Sequence, residues 1–283
     1  MHISEINIYP VKSLKGIGLS ESIVEKRGLR FDRRWMLTDP DGMFFTQRET
    51  PKMATIGVQV TDDGLKVTSG IGSMAIPPEP DRGKRQNVVV WQSEVEGLVY
   101  NGQVSEWFSD ALGRKCQLVM MPQSWHRHVN ARFDSGEDIV SFADGYPLLI
   151  ANEASLEELN DRIGDENGPV PMNRFRPNLV VSGADSFAED NWRRIKIGET
   201  TFRVPKPCAR CVTTTVDQEA GEFDDKEPLK TLATFRRPRQ VYPDTFETYG
   251  FQGNEVLFAT NLIPENPGGV LKLGDKVEVL ETI

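Results

Sequence analysis

Short runs of alternating apolar and polar residues, closed by a turn signal every ten residues or so, recur along this chain and restrict it to β-rich folds. Ile3, Ile6 and Ile8 open the first run. Arg34–Thr38 runs into Asp39-Pro40-Asp41-Gly42 and then Met43–Phe45, which predicts a hairpin, because Pro presets φ in the turn and Gly supplies a positive φ. A second hairpin is predicted where Ile56, Val58 and Val60 alternate up to Asp62-Asp63-Gly64 and Leu65 and Val67 return. More strands are expected at Leu179–Val181, Ile195–Ile197, Thr201–Val204, Val212–Val216 and Val277–Leu280, and the polar, Pro-rich residues 77–87 read as a loop. Two helices interrupt the pattern. In Val104–Leu112, Trp107, Phe108, Ala111 and Leu112 share a face and Gly113 stands at the stop position. In Glu153–Ile163, Ser155-x-x-Glu158 has the form of a capping box, Leu156, Leu159 and Ile163 make the buried stripe, and Gly164 ends it. The expected fold class is mainly β with a few helices, arranged as barrels or sandwiches.

A length of 283 residues, at about 150 per domain, implies two domains or one large β-rich unit. No apolar run approaches the roughly 18–20 residues of a membrane span. The start, MHISEINIYPVKSLKG, alternates instead of presenting a secretory or transit signal, so a cytoplasmic address is expected. A net charge of −9 argues against a nucleic-acid partner. The charge is uneven, however: residues 1–60 hold nine Lys/Arg against seven Asp/Glu, and residues 170–215 hold eight against four. Brought together in the fold, these basic stretches make a local anion site.

The chain has three cysteines, Cys116, Cys208 and Cys211, too few and odd in number for a disulfide framework. Four readings of Cys208-Ala209-Arg210-Cys211 are open. A zinc site would need His126 and His128, some eighty residues away, as further ligands. A thioredoxin-like pair wants a helix after the motif, whereas β-branched residues follow here and predict a strand. A pair of inert buried thiols is the third. The fourth is a thiolate ligand to a metal carried by an organic cofactor, with Arg210 and Lys206 favouring the ionised sulfur. Spacing does not choose between Cys208 and Cys211. Two further segments carry donors suited to phosphate or a heterocycle: Tyr9-Pro10-Val11-Lys12-Ser13-Leu14-Lys15-Gly16, and Asn173-Arg174-Phe175-Arg176-Pro177-Asn178, whose arginines flank a strand entry. An ordinary polar loop and a structural ion pair are the plain alternatives.

The segments YPVKSLKG, GLRFDRRWML, SFADGYPLLIANEASLEEL, RFRPNLVVSG, FAEDNW, PCARCVTTTVD and EPLKTLATFR occur in this order. Together they resemble the MOSC-domain proteins with an N-terminal MOSC β-barrel, in the bacterial YcbX-like branch and, more distantly, the mitochondrial amidoxime-reducing component. The resemblance runs from residue 1 to about 281 and implies an N-terminal MOSC β-barrel domain at 1–122 and a C-terminal MOSC β-barrel domain at 123–283. It also implies a molybdenum cofactor, a molybdopterin dithiolene held between the two domains. Cys211 would be the protein ligand to molybdenum. Lys12, Ser13, Arg33 and Arg176 would hold the pterin and phosphate, and Ala209 and Arg210 would line the metal site, with Ala209 offering only backbone where relatives often carry Ser. The implied activity is reduction of N-hydroxylated compounds (hydroxylamines, amidoximes, N-hydroxylated bases). No C-x₄-C-x₂-C spacing for an iron–sulfur cluster occurs and the C-terminal ferredoxin domain of close relatives is not expected, so electrons would come from a separate flavoprotein reductase or ferredoxin. The implied alternative is a sulfur or molybdopterin carrier using the same cysteine. Asp217 and solvent stand open as proton donors, and the loop His126–Gly136 is expected to shape access.

Overall fold

The computed structural model describes residues 1–80, 84–165 and 168–283, and the fold is mainly β with a few helices. The first strand, His2–Ile8, buries Ile3, Ile6 and Ile8. Ile3 and Ile6 are an odd number of residues apart and would face opposite ways in a regular strand. A register shift between Ile3 and Glu5 supplies the extra residue that turns both inward. The strand pairs antiparallel with Leu179–Ser182 and Ile17–Leu19, so the start of the chain is built into the sheet of its second half. Among the described residues that sheet has nine strands, including Leu148–Asn152, Val256–Pro264, Thr200–Arg203, Trp192–Ile197 and Val277–Thr282. Ile3, Ile6, Ile8, Val24 and Leu29 share its core with Leu148, Ile150, Leu179, Ile195, Phe202 and Leu262. Each such side chain contributes about 1.5–3 kcal/mol by leaving water.

A second core, with Val11, Leu14, Trp35, Phe45, Met53, Phe108 and Leu112 at its centre, belongs to the first half. Around it stand the four-stranded sheet Trp35–Thr38, Gln117–Met120, Ser93–Val99 and Lys84–Val90, the meander Gly57–Thr61, Gly64–Ser69 and Gly72–Ile76, and the helix Gly102–Leu112. The chain therefore passes from one core to the other between Ile8 and Val11, and again between Leu29 and Trp35. The residues at those crossings have no core of their own to enter.

Most expected elements form, with informative departures. The turn at Asp39–Gly42 closes, but its return is a single bridge from Thr38 to Phe44, and Gly42–Phe44 bonds instead to Val89, with Phe44 N–H donating to the Val89 carbonyl at 3.2 Å and Val89 N–H to the Gly42 carbonyl at 2.9 Å. The second hairpin is complete, with Val60 opposite Leu65. Residues 84–87, expected as loop, begin the edge strand Lys84–Val90, whose charged side chains suit an edge, while residues 81–83 of that expected loop lie outside the described residues. The second helix has the expected limits, and the first ends as expected at Leu112 but starts two residues earlier, at Gly102, where the Asn101 side chain caps it by accepting from the Val104 amide at 3.2 Å. The second is capped by Asn152, whose side chain accepts from the Ala154 amide at 3.2 Å, and not by a Ser155–Glu158 box: Ser155 donates instead to Glu189 at 2.8 Å. Val212–Thr215 is a 3₁₀ turn and not a strand, since the Thr214 and Thr215 hydroxyls donate back to the carbonyls of Cys211 and Val212, both at 2.9 Å. No helix among the described residues is long and apolar enough to cross a membrane.

Candidate functional site

The basic residues stand at, or just past, the crossings between the cores. Lys12 and Ser13 lie between the buried Val11 and Leu14, and Arg33 lies just ahead of Trp35. Backbone bonds stitch the two passages together: Arg33 N–H donates to the Tyr9 carbonyl at 2.9 Å and Lys12 N–H to the Trp35 carbonyl at 2.8 Å. Ser13, Arg33 and Arg176 all hold φ in the left-handed region, at 67°, 47° and 54°. For a non-glycine residue this costs about 1–2 kcal/mol, and such strain concentrates where a fold must aim a side chain. Here it turns three polar side chains to one side of the seam.

The cysteine motif approaches from the other wall. Pro207–Arg210 pairs with Val256–Pro264, with an irregularity between Pro207 and Ala209, and Cys211 follows as the residue before the 3₁₀ turn. The result is an open cleft lined by Lys12, Ser13, Arg33, Arg176, Cys208, Ala209, Arg210 and Cys211. The cofactor and metal residues expected from the resemblance all lie on it, as does Arg174 of the arginine segment, whereas Lys206, expected beside the sulfur, does not line it and donates to the Tyr249 carbonyl at 2.8 Å. Arg48, Trp91 and Asp144, which sequence reasoning did not assign, line it too. The basic stretches of both halves thus converge on one sulfur.

Two family models match the chain: the MOSC N-terminal beta barrel domain over residues 1–115 and the MOSC domain over residues 137–278. The chain belongs to the MOSC family. It is 33% identical to mitochondrial amidoxime-reducing component 1 of Mus musculus and 32% identical to that of Homo sapiens, in each case over 98% of this chain and 82% of the relative. It is 33% identical to the molybdenum cofactor sulfurase of Oryza sativa subsp. japonica over 84% of this chain but only 31% of that protein.

The charges in the MOSC cleft are only partly compensated. Arg33 donates to both oxygens of Asp32, at 2.9 and 2.7 Å, and Lys12 pairs with Asp144. Arg174 meets Asp224 at 2.7 Å and Asp217 at 3.2 Å. Among the described residues neither Arg176 nor Arg210 has a carboxylate partner: Arg176 donates to the Leu14 carbonyl at 2.8 Å, and Arg210 to the Phe175 carbonyl at 2.7 Å and to Cys208 Sγ at 3.0 Å. Burial pushes Arg176 down to about 10, the Tyr9 phenol offsets this in part, and the Arg33 charge adds to it. Nε of Arg210 and Nε and Nη1 of Arg174 are buried without partners among the described residues. An interior cation without a counterion is costly, and an anionic ligand relieves it.

Cys211 is the thiol that Arg48 attends, with Nη2 at 3.0 Å and Nε at 3.2 Å from Sγ, and the Thr213 hydroxyl at 3.5 Å. Burial raises its pKa, but the Thr213 contact and the Arg48 charge outweigh that and the net direction is down. The sulfur is a ready anionic ligand for a soft metal. Asp144 is held well below the usual carboxylate range: burial pushes it up, and the Lys12 charge and hydrogen bonds from Lys12 and Trp91 pull it further down. It is therefore ionised at neutral pH and anchors its neighbours. A soft thiolate facing uncompensated guanidiniums fits a phosphorylated cofactor that carries a thiophilic metal.

Other expectations fail on geometry. His128 pairs with Asp134 at 3.0 Å, neither His126 nor His128 lines the cleft, and no group of three or more His, Cys, Asp or Glu with metal-holding geometry occurs among the described residues. That leaves the zinc reading without the two further ligands it needs. Asp217 does not line the cleft and accepts the amides of Ala220 and Glu219, both at 2.8 Å, which, with Arg174, keep it ionised. It is not placed to donate a proton there. The loop 126–136 also stays away from this cleft and borders another, through Arg132, Phe133 and Asp134.

Proposed function

We propose that this MOSC protein is a molybdenum-cofactor-dependent reductase of N-hydroxylated compounds, supplied with electrons by a separate redox protein such as a flavoprotein reductase or a ferredoxin. The observation that carries the reading is the convergence of Lys12, Ser13, Arg33, Arg176 and Arg210 on the cleft that holds Cys211. The similarity to the amidoxime-reducing components over nearly the whole chain supports it.

In this reading Cys211 is the protein's ligand to molybdenum, and the Arg176 and Arg210 guanidiniums bind the cofactor's anionic end. Ser13 and Lys12 supply donors from the seam, and Arg33 is oriented by Asp32 and by Asn178 Oδ1 at 3.0 Å. Ala209 is exposed on the cleft and offers backbone alone. The bound cofactor supplies two-electron reduction of an N–O bond, yielding the amine or amidine and water. The protein's part is to orient, to exclude competing ligands from the sulfur and to hold charge in place. Proton delivery is assigned to solvent, because both Asp144 and Asp217 are held ionised.

A second reading is sulfur or molybdopterin transfer. It has its own support: Cys208 lies in the same cleft with Arg210 Nη1 at 3.0 Å, and a cofactor sulfurase is among the relatives. One experiment separates the two. Protein purified from a molybdopterin-competent host is assayed for molybdenum, pterin and sulfane sulfur, and then for reduction of an amidoxime with a reduced dye as donor. Stoichiometric molybdenum with turnover supports the reductase. Sulfane sulfur without molybdenum, or a loaded protein that reduces no N-hydroxylated compound, would defeat it.

A further inference from the structure

We infer that Arg48 is the positioning residue for Cys211 and sets how strongly this sulfur donates to the metal. The inference rests on the reading of Cys211 as the ligand. Arg48 belongs to no recognisable motif. It comes from the loop after Phe45, 163 residues from Cys211 in sequence. Two nitrogens of its guanidinium converge on the same Sγ, at 3.2 and 3.0 Å, so the planar fork fixes the direction of the sulfur as well as its charge.

The guanidinium is held in turn. It lies 4.3 Å from the centroid of the Trp91 ring, Phe44 meets that ring edge-on at 4.9 Å, and Trp91 Nε1 donates to Asp144 at 3.0 Å. Asp144 is fixed by Lys12, and its own carbonyl accepts from the buried Arg127 at 2.9 Å. Trp91 stands at the tip of the hairpin formed by Lys84–Val90 and Ser93–Val99 with φ at 56°, a left-handed conformation for a bulky residue. The strained turn delivers the indole to the rim of the cleft, where it serves as the platform for Arg48. The loop itself is clamped across the seam by Gln47, which exchanges hydrogen bonds with Gln218 at 3.2 and 3.0 Å and donates to the Ser13 carbonyl at 2.8 Å.

A cationic donor on a coordinating thiolate withdraws electron density from it. Donation to the metal weakens, the reduced metal is favoured, and the potential rises. Arg48 accordingly makes the centre easier for an external donor to reduce, and it does so from outside the group of residues that bind the cofactor's anionic end.

The test compares wild type, Arg48→Met, Arg48→Lys and Trp91→Leu, each loaded in a molybdopterin-competent host. Molybdenum and pterin content are measured first, then the midpoint potential from a redox titration of the molybdenum EPR signal. Arg48→Met is expected to lower the potential and shift the EPR parameters, with kcat for an amidoxime falling by the roughly 10–100-fold usual for lost partners of metal ligands while KM holds. Arg48→Lys recovers part of the shift, and Trp91→Leu gives a smaller shift in the same direction. Because Trp91 is partly exposed at a hairpin tip, its variant reports even if Arg48→Met does not fold. Unchanged potential and EPR parameters in loaded Arg48→Met, or, where that variant does not fold, in both Arg48→Lys and Trp91→Leu, overturn the inference and leave the proposed reductase standing. A wild type that takes up no molybdenum removes the reductase reading itself, and this inference with it.

Discussion

Arg33 Nη2 donates to the backbone carbonyl of Arg176 at 3.2 Å, joining two residues 143 positions apart that both hold left-handed backbone. Their guanidiniums lie 4.3 and 4.2 Å from the centroid of the same Tyr9 ring. Asp32 neutralises Arg33, whereas Arg176 meets only neutral acceptors, so the pair carries a net positive charge into the cleft.

Arg176→Gln is expected to have opposite effects on binding and on stability. Losing one charged hydrogen bond to a phosphate costs roughly 1.5–3 kcal/mol of binding. Molybdenum and pterin should therefore be lost much faster on dialysis than from wild type. The cofactor-free variant should melt no lower than cofactor-free wild type, because a desolvated, uncompensated cation has been removed. Undiminished cofactor retention with a lowered Tm would mean that Arg176 is a structural residue.

The two thiols should separate cleanly. Cys211→Ala is expected to abolish amidoxime reduction while changing stability by about 1 kcal/mol or less, since the half-buried sulfur belongs to none of the cores. Cys208→Ala should keep molybdenum and activity. Normal turnover in Cys211→Ala, or molybdenum lost only from Cys208→Ala, would move the ligand to the other cysteine.

Away from the cleft, Glu189 governs a pH dependence of folding. It is buried, accepts from Ser155 and Asn152, and is pushed up to about 7, first by burial and then by the charge of Asp190. Between its ordinary value near 4.5 and about 7 the folded chain holds a proton that the unfolded chain releases, so stability falls as pH rises through that window and stays lower above it. The magnitude is on the order of 3 kcal/mol at pH 8. Glu189→Gln should raise Tm at pH 8 and leave it near wild type at pH 5. Equal Tm differences at both pH values would show that the carboxyl does not titrate in this range.

What sequence could reveal of this site follows from how local each signal is. Lys12, Ser13, Arg33, Arg176 and Cys211 sit inside segments whose order and composition are specific, and the seam they occupy follows from where buried residues switch from one core to the other. Arg48 and Trp91 carry no such signal. Their role depends on a loop and a hairpin tip from the first half meeting a strand end from the second, a contact set by tertiary packing alone. The missed 3₁₀ turn after Cys211 has a local cause. β-branched Thr residues predict a strand, but three in succession, Thr213–Thr215, also offer hydroxyls that satisfy the preceding carbonyls. Ser155 fails as a cap for the reverse reason, since its hydroxyl is claimed by Glu189, 34 residues on.

Gly16 supplies the last test, because it bears on the cleft through Tyr9. A Cβ at position 16 would lie 2.5 Å from Tyr9 Cε1 and 2.9 Å from Cδ1. The ring cannot simply retreat: it is 4% exposed, and its hydroxyl donates to the Pro177 carbonyl at 3.2 Å. Gly16→Ala must therefore displace the ring on which Arg33 and Arg176 rest. Overpacking of this kind costs about 1–3 kcal/mol, so a lowered Tm is expected in the cofactor-free protein. Cofactor retention should fall as well, although position 16 lies outside the cleft lining. Gly70→Ala is the control, since a Cβ there meets nothing within 4 Å. If Gly16→Ala loses stability but keeps molybdenum as firmly as wild type, the Tyr9 ring supports packing alone and the two arginines find their places without it.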